Sequence, residues 1–78
     1  MRGITVEIKI GVENTPREVV VESELSPAEI TAAVESALSG GSVLSLTDDR
    51  GRTVMVPAKK IAYIEIGAPT ARRVGFGS

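Results

Sequence analysis

The sequence has no cysteine, no histidine and no tryptophan, and its only aromatic residues are Tyr63 and Phe76. Each absence excludes something. Without cysteine there is no disulfide staple, no thiolate nucleophile and no zinc–thiolate site. Small secreted domains usually rely on such staples, so their absence points to a cytoplasmic home. Without histidine the usual general base and imidazole metal ligand are gone, as is every Ser-His or Cys-His arrangement. No apolar run approaches the ~18 residues that a membrane-crossing helix needs. Arg2 is followed by no apolar stretch of signal-peptide type, so no leader is expected.

What is present reads as one folded domain. The 78 residues are 42% apolar and 24% charged, so the core is drawn from Val, Ile, Leu and Ala. A chain of this size buries only about 60% of its unfolded surface, so that core is small. Charge is split along the length. Residues 1–49 hold three basic residues against nine acidic ones, and residues 50–78 hold six basic residues against Glu65 alone. The chain's net charge of −1 therefore hides two opposite halves, and opposite fields on one small body can steer association.

Hydrophobic periodicity predicts the elements. Residues 4–10 alternate, with Ile4, Val6, Ile8 and Ile10 on one face and Thr5, Glu7 and Lys9 on the other. Turn chemistry over 11–16 leads to a second strand over 17–23, which makes a hairpin. Ser26-Pro27-Ala28-Glu29 is a capping box with proline at the first helical position, and Leu25 with Ile30 has the spacing of a hydrophobic staple. Ile30, Ala33, Val34, Ala37 and Leu38 follow at helical spacing, and Gly40-Gly41 ends the helix. Strands are then expected over 42–47, 52–56 and 60–66. Gly51 in the Asp48–Gly51 loop is expected at positive φ, and Pro57 closes the fourth strand.

The expected fold is α+β in the order ββαβββ: a mostly antiparallel five-stranded sheet with one helix, Ser26 to Ser39, packed on one face. The domain spans 1–66, and residues 67–78 form a flexible or docking C-terminal tail. The expected core is Ile4, Val6, Ile8, Val19, Val21, Ile30, Val34, Leu38, Leu44, Leu46, Val54, Val56, Ile64 and Ile66. The uncovered face is expected to carry Glu7, Lys9, Val20, Met55, Tyr63 and Glu65.

Three stretches are familiar: VEIKIG from Val6 to Gly11, LTDDRGRTVMVPAKKIAYIEIG in the second half, and the ending RRVGFG. They resemble a family of small, uncharacterised actinobacterial proteins known only as a domain of unknown function. The resemblance covers nearly the whole chain and implies a cytosolic bacterial protein. It implies no activity, and no functional residue is carried over from it.

The residues themselves favour binding over chemistry. No serine sits on a nucleophile elbow or beside a desolvated lysine, so no catalytic residue is named and the chain is not expected to be an enzyme. Asp48 and Asp49 fit a hairpin loop that bonds its own backbone better than a cation site, which needs several convergent oxygens at fixed spacing. No cofactor and no metal are expected. The leading reading is a protein-interaction or adaptor module. Arg72, Arg73 and Phe76 bear the contact, and Tyr63 and Met55 extend it across the open sheet face. Its partner is an unknown protein or a second copy. The alternative is an RNA or single-stranded nucleic-acid binder gripping phosphates with Arg50, Arg52, Lys59, Lys60, Arg72 and Arg73. A third reading, an ATP-binding protein, needs an unorthodox site. There is no GxxxxGK[ST] pattern, and Gly75-Phe76-Gly77 is a lone GxG.

Overall fold

The computed structural model describes residues 4–71. The elements run β1 (Ile4–Val12), β2 (Glu18–Ser23), α1 (Pro27–Gly40), β3 (Val43–Thr47), β4 (Thr53–Pro57), a 3₁₀ turn (Ala58–Lys60), β5 (Ile61–Ile66) and β6 (Thr70–Ala71). The α+β class and the ββαβββ order are as expected, with β6 added at the end. Every strand pairing is antiparallel, and the strands divide between two sheets. One has four strands in the order β2-β1-β5, with β6 also on β1, and the other is the β3-β4 hairpin. Thr70 and Ala71, which fall within the expected tail of residues 67–78, pair with Thr5 and Ile4.

Local chemistry accounts for the turns. Asn14 takes a left-handed φ of 62° between β1 and β2, a conformation its short polar side chain tolerates. Ser26 caps α1: its Oγ accepts from the Glu29 N–H at 3.2 Å while Glu29 Oε1 accepts from the Ser26 N–H at 2.9 Å. Gly41 ends the helix at φ 66°, and Gly51 turns the β3–β4 hairpin at φ 86°.

The four-stranded sheet presents Val6, Ile8, Ile10 and Val21 to a single core. Against them pack Ile30, Val34 and Ala37 of α1 and Leu44, Leu46 and Val56 of the hairpin. Helix and hairpin together cover one face of the larger sheet. Val19, Val54, Ile64 and Ile66 border this cluster, partly buried.

Two expected core residues lie outside it. Leu38 is 50% exposed. At about 100° per residue it stands some 80° around the helix from Ile30, at the margin of the buried stripe. Ile4 is 62% exposed. The β1–β2 ladder stops at Val6↔Ser23, where the chain leaves for the helix, so Ile4 has no β2 residue opposite it. Its other neighbour is Ala71 on β6. A register step interrupts the β1–β5 ladder. Gly11 pairs with Tyr63 and Val12 with Ile61, so Ala62 has no partner on β1. Ala62 is exposed, and Ile61 takes the partly buried place instead.

Candidate interaction surfaces

Among the described residues no helix or second sheet packs on the outer face of the four-stranded sheet, and its register sets side chains in rows. Glu18, Gly11 and Tyr63 form one row, and Val20, Lys9 and Glu65 the next. Glu22 faces Glu7 in the row beyond, where the Gly67 N–H donates to the Glu7 carbonyl at 2.9 Å.

Tyr63 is fixed in the first row. Its ring lies over Gly11 so closely that a Cβ added there would collide with the ring edge at Cε2, Cδ2 and Cζ. Glycine is required at this position for that close approach. The Tyr63 hydroxyl donates to the Glu18 carboxylate. That hydrogen bond raises the phenol above its usual 10.0, helped by burial and by the charges of Glu18 and Glu65. Even so, Tyr63 is 48% exposed, and Val20 beside it is 52% exposed. Thr5 donates from its hydroxyl to Glu22 at 2.8 Å. The face therefore presents Glu7, Glu18, Glu22 and Glu65 around one Lys9, with an anchored ring at one end. It is acidic, although the chain as a whole is nearly neutral.

Met55 does not share this face. The expectation of one open surface holding Tyr63 and Met55 fails because β4 belongs to the other sheet. Met55 is 64% exposed on the outward face of the hairpin, opposite Ser45 and flanked by the Val43↔Pro57 and Thr47↔Thr53 pairs. Four of the basic residues stand in two pairs at opposite ends of the five-residue strand β4. Arg50 and Arg52 precede it, and Lys59 and Lys60 follow it in the 3₁₀ turn. Arg72, Arg73 and Phe76 lie outside the described residues.

The hairpin loop is organised by Asp48, whose side chain is 4% exposed. Its Oδ1 accepts from the Arg50 N–H at 2.9 Å and the Arg52 N–H at 2.7 Å, and its Oδ2 accepts from Arg52 Nε at 2.7 Å. Burial works to raise this carboxyl. The hydrogen bonds from the Arg52 N–H, the Arg52 guanidinium and the Arg50 N–H outweigh it and hold the group below its usual 3.8. Asp48 thus bonds its own loop, as its place in a hairpin suggested. Among the described residues no three acidic side chains converge as a metal ion would need.

Sequence reasoning missed a cleft of about 480 Å³ between the β2–α1 connection and the hairpin. Leu25, Ala33 and Leu46 supply its apolar lining, with Ser23, Glu24 and Asp48 around them. Ser23 is fully buried, and its Oγ accepts from the Leu25 N–H at 3.0 Å. The only advance signal was Ser23 at an inward position of an otherwise apolar strand face.

No helix among the described residues is long and apolar enough to cross a membrane. The model of a family described as "Protein of unknown function (DUF3107)" matches residues 6–77. No curated protein matches the chain.

Proposed function

We propose that the chain, which belongs to this family of unknown function, is a non-catalytic protein-interaction or adaptor module. It grips its partner with the basic C-terminal segment and the open face of the four-stranded sheet. Tyr63 carries this reading. It is half exposed, yet its ring is held over Gly11 and its hydroxyl is tied to Glu18. A ring already fixed in place loses little conformational entropy on binding, which is why tyrosines serve as anchors at interfaces. The carboxylates around it favour a basic partner surface. The same reading includes an actinobacterial, cytoplasmic setting, supported by the RRVGFG ending.

The test is direct binding to the partner, first captured from cell extract with the full chain and then purified. Tyr63→Ser, and separately a chain ended at Ala71 so that β6 is kept, are each expected to weaken binding at least about tenfold. Affinities unchanged in both would overturn the reading.

A second reading follows from the hairpin. Arg50, Arg52, Lys59 and Lys60 bracket β4 and, with Arg72 and Arg73, form a basic set suited to RNA or single-stranded DNA. Binding of that kind weakens with salt at a log–log slope of about −0.7 per phosphate contacted. Absence of binding to a labelled oligonucleotide at low salt would dismiss it. An ATP-binding role predicts a thermal shift at millimolar nucleotide, and a flat melting temperature would dismiss that.

A further inference from the structure

We infer that the free edge of β5 takes an added strand from a basic partner polypeptide, an extended segment with apolar residues facing inward and lysines or arginines facing outward. Backbone groups are left unpaired along this edge. The Gly67 N–H donates to the Glu7 carbonyl at 2.9 Å, and the same register continues through Ile8↔Ile66, Lys9↔Glu65 and Ile10↔Ile64. In an antiparallel pair, hydrogen-bonded and non-hydrogen-bonded positions alternate, so Gly67 and Glu65 turn their backbone groups toward β1. Ile64 and Ile66 turn theirs to the other side, where no strand pairs with β5 among the described residues. Their N–H and C=O groups stand in a row, a template for a further strand.

The other edges are less open. On β2 the Glu22 carbonyl accepts from the Asp49 N–H of the hairpin loop at 2.8 Å. β4 ends in Pro57, which has no N–H, and basic residues stand at both of its ends.

Apolar surface is also unfinished at β5. Ile64 and Ile66 lie opposite Ile10 and Ile8 on the inward side. Ile8 and Ile10 are fully buried, whereas Ile64 and Ile66 are only partly so. A strand added here lays its inward side chains against them and extends rows that now stop at the edge.

Charge selects the partner. The outward side of β5 carries Tyr63 and Glu65, and the face behind them carries Glu7, Glu18 and Glu22 around Lys9. The outward side chains of an added strand stand about 5 Å from those of β5, where a cation meets Glu65 and can lie on the Tyr63 ring. Lys59 and Lys60 stand just before β5, so the partner's basic residues belong toward the Glu65 end. A second copy pairing through its own β5 brings an equally acidic face alongside and is disfavoured.

This strand addition deepens the proposed function, on which it rests, by naming how the sheet holds its partner. Its test uses the purified full chain and a defined peptide, so it fails separately from the capture of a natural partner. In the free chain, amide hydrogen exchange is expected to be fast at Ile64 and Ile66 and slow at Glu65 and Gly67. A short capped peptide of alternating lysine and valine, at saturation, should slow the Ile64 and Ile66 amides at least about tenfold. Replacing its lysines by glutamates, methylating its central backbone amides, or Glu65→Lys in the chain should each weaken binding at least about tenfold. Circular dichroism checks that Glu65→Lys is folded, and the two peptide changes leave the chain untouched. No response to the lysine peptide overturns the proposal. So do Ile64 and Ile66 amides already protected in the dilute free chain, and so does binding that survives methylation, which is charge attraction without strand pairing. Protection that grows with chain concentration alone would put a second copy on the edge and overturn the basic partner.

Discussion

Ile30 and Leu38 look alike in the sequence: both are large aliphatic residues on the apolar stripe of one helix. The fold separates them. Ile30 is fully buried where the helix meets both sheets, and Leu38 is 50% exposed at the edge of the stripe. Ile30→Ala removes the transfer energy of the lost carbons and leaves a cavity, together about 2–5 kcal/mol. The buried cluster that includes Ile30 draws on β1, β2, α1, β3 and β4, so it cannot easily collapse, and about 3 kcal/mol or more is expected. A domain of this size has only about 4–12 kcal/mol in total. At roughly 4–8 °C per kcal/mol, the melting temperature should fall by about 12 °C or more. Leu38→Ala leaves no enclosed cavity and forfeits about half of a side chain's burial, so about 1 kcal/mol or less is expected. Urea unfolding followed by far-UV circular dichroism measures both. Equal losses for the two variants would refute this account of the core.

Tyr63 is the only tyrosine and there is no tryptophan, so its ionisation can be followed by ultraviolet absorbance without interference. Its phenol should titrate above 10.0, and both Glu18→Gln and Gly11→Ala should bring it back toward that value. The proton is held more tightly in the folded state, so this contribution to stability is complete below the ordinary phenol pKa and is lost as pH rises through the folded one. Asp48 has the opposite sign. Its depressed carboxyl stabilises the fold above the usual 3.8, and this is lost as pH falls through the lower folded value. Urea titrations should therefore show wild type more stable than Asp48→Asn at neutral pH, with the gap closing in acid. Gly41→Ala meets no atom within 4 Å but must adopt φ +66°, so it should lose about 1–2 kcal/mol by thermal melting through backbone strain alone.

Local signals carried much of the fold. The capping box at Ser26–Glu29, the glycines at 41 and 51, and the alternation of β1 and β2 each depend on residues close in sequence, and each is present in the structure. The interaction surfaces were less legible. Tyr63 was correctly placed on an outward face, but its link to Gly11 and Glu18 joins three strands and depends on register. Met55 was grouped with it because alternation reports which side of a strand a residue faces and not which sheet the strand joins.

The sequence by itself determined the order ββαβββ, the helix ends, the left-handed glycine of the second hairpin and most of the inward-facing residues, because backbone sterics and side-chain periodicity act over a few residues. Tertiary structure alone decided that the strands divide into two sheets, that the acidic face and the basic hairpin are separate surfaces, and that a cleft opens beside β2. Those features arise from pairings between residues such as Gly11 and Tyr63, 52 positions apart, whose register is set by how helix and hairpin share one core.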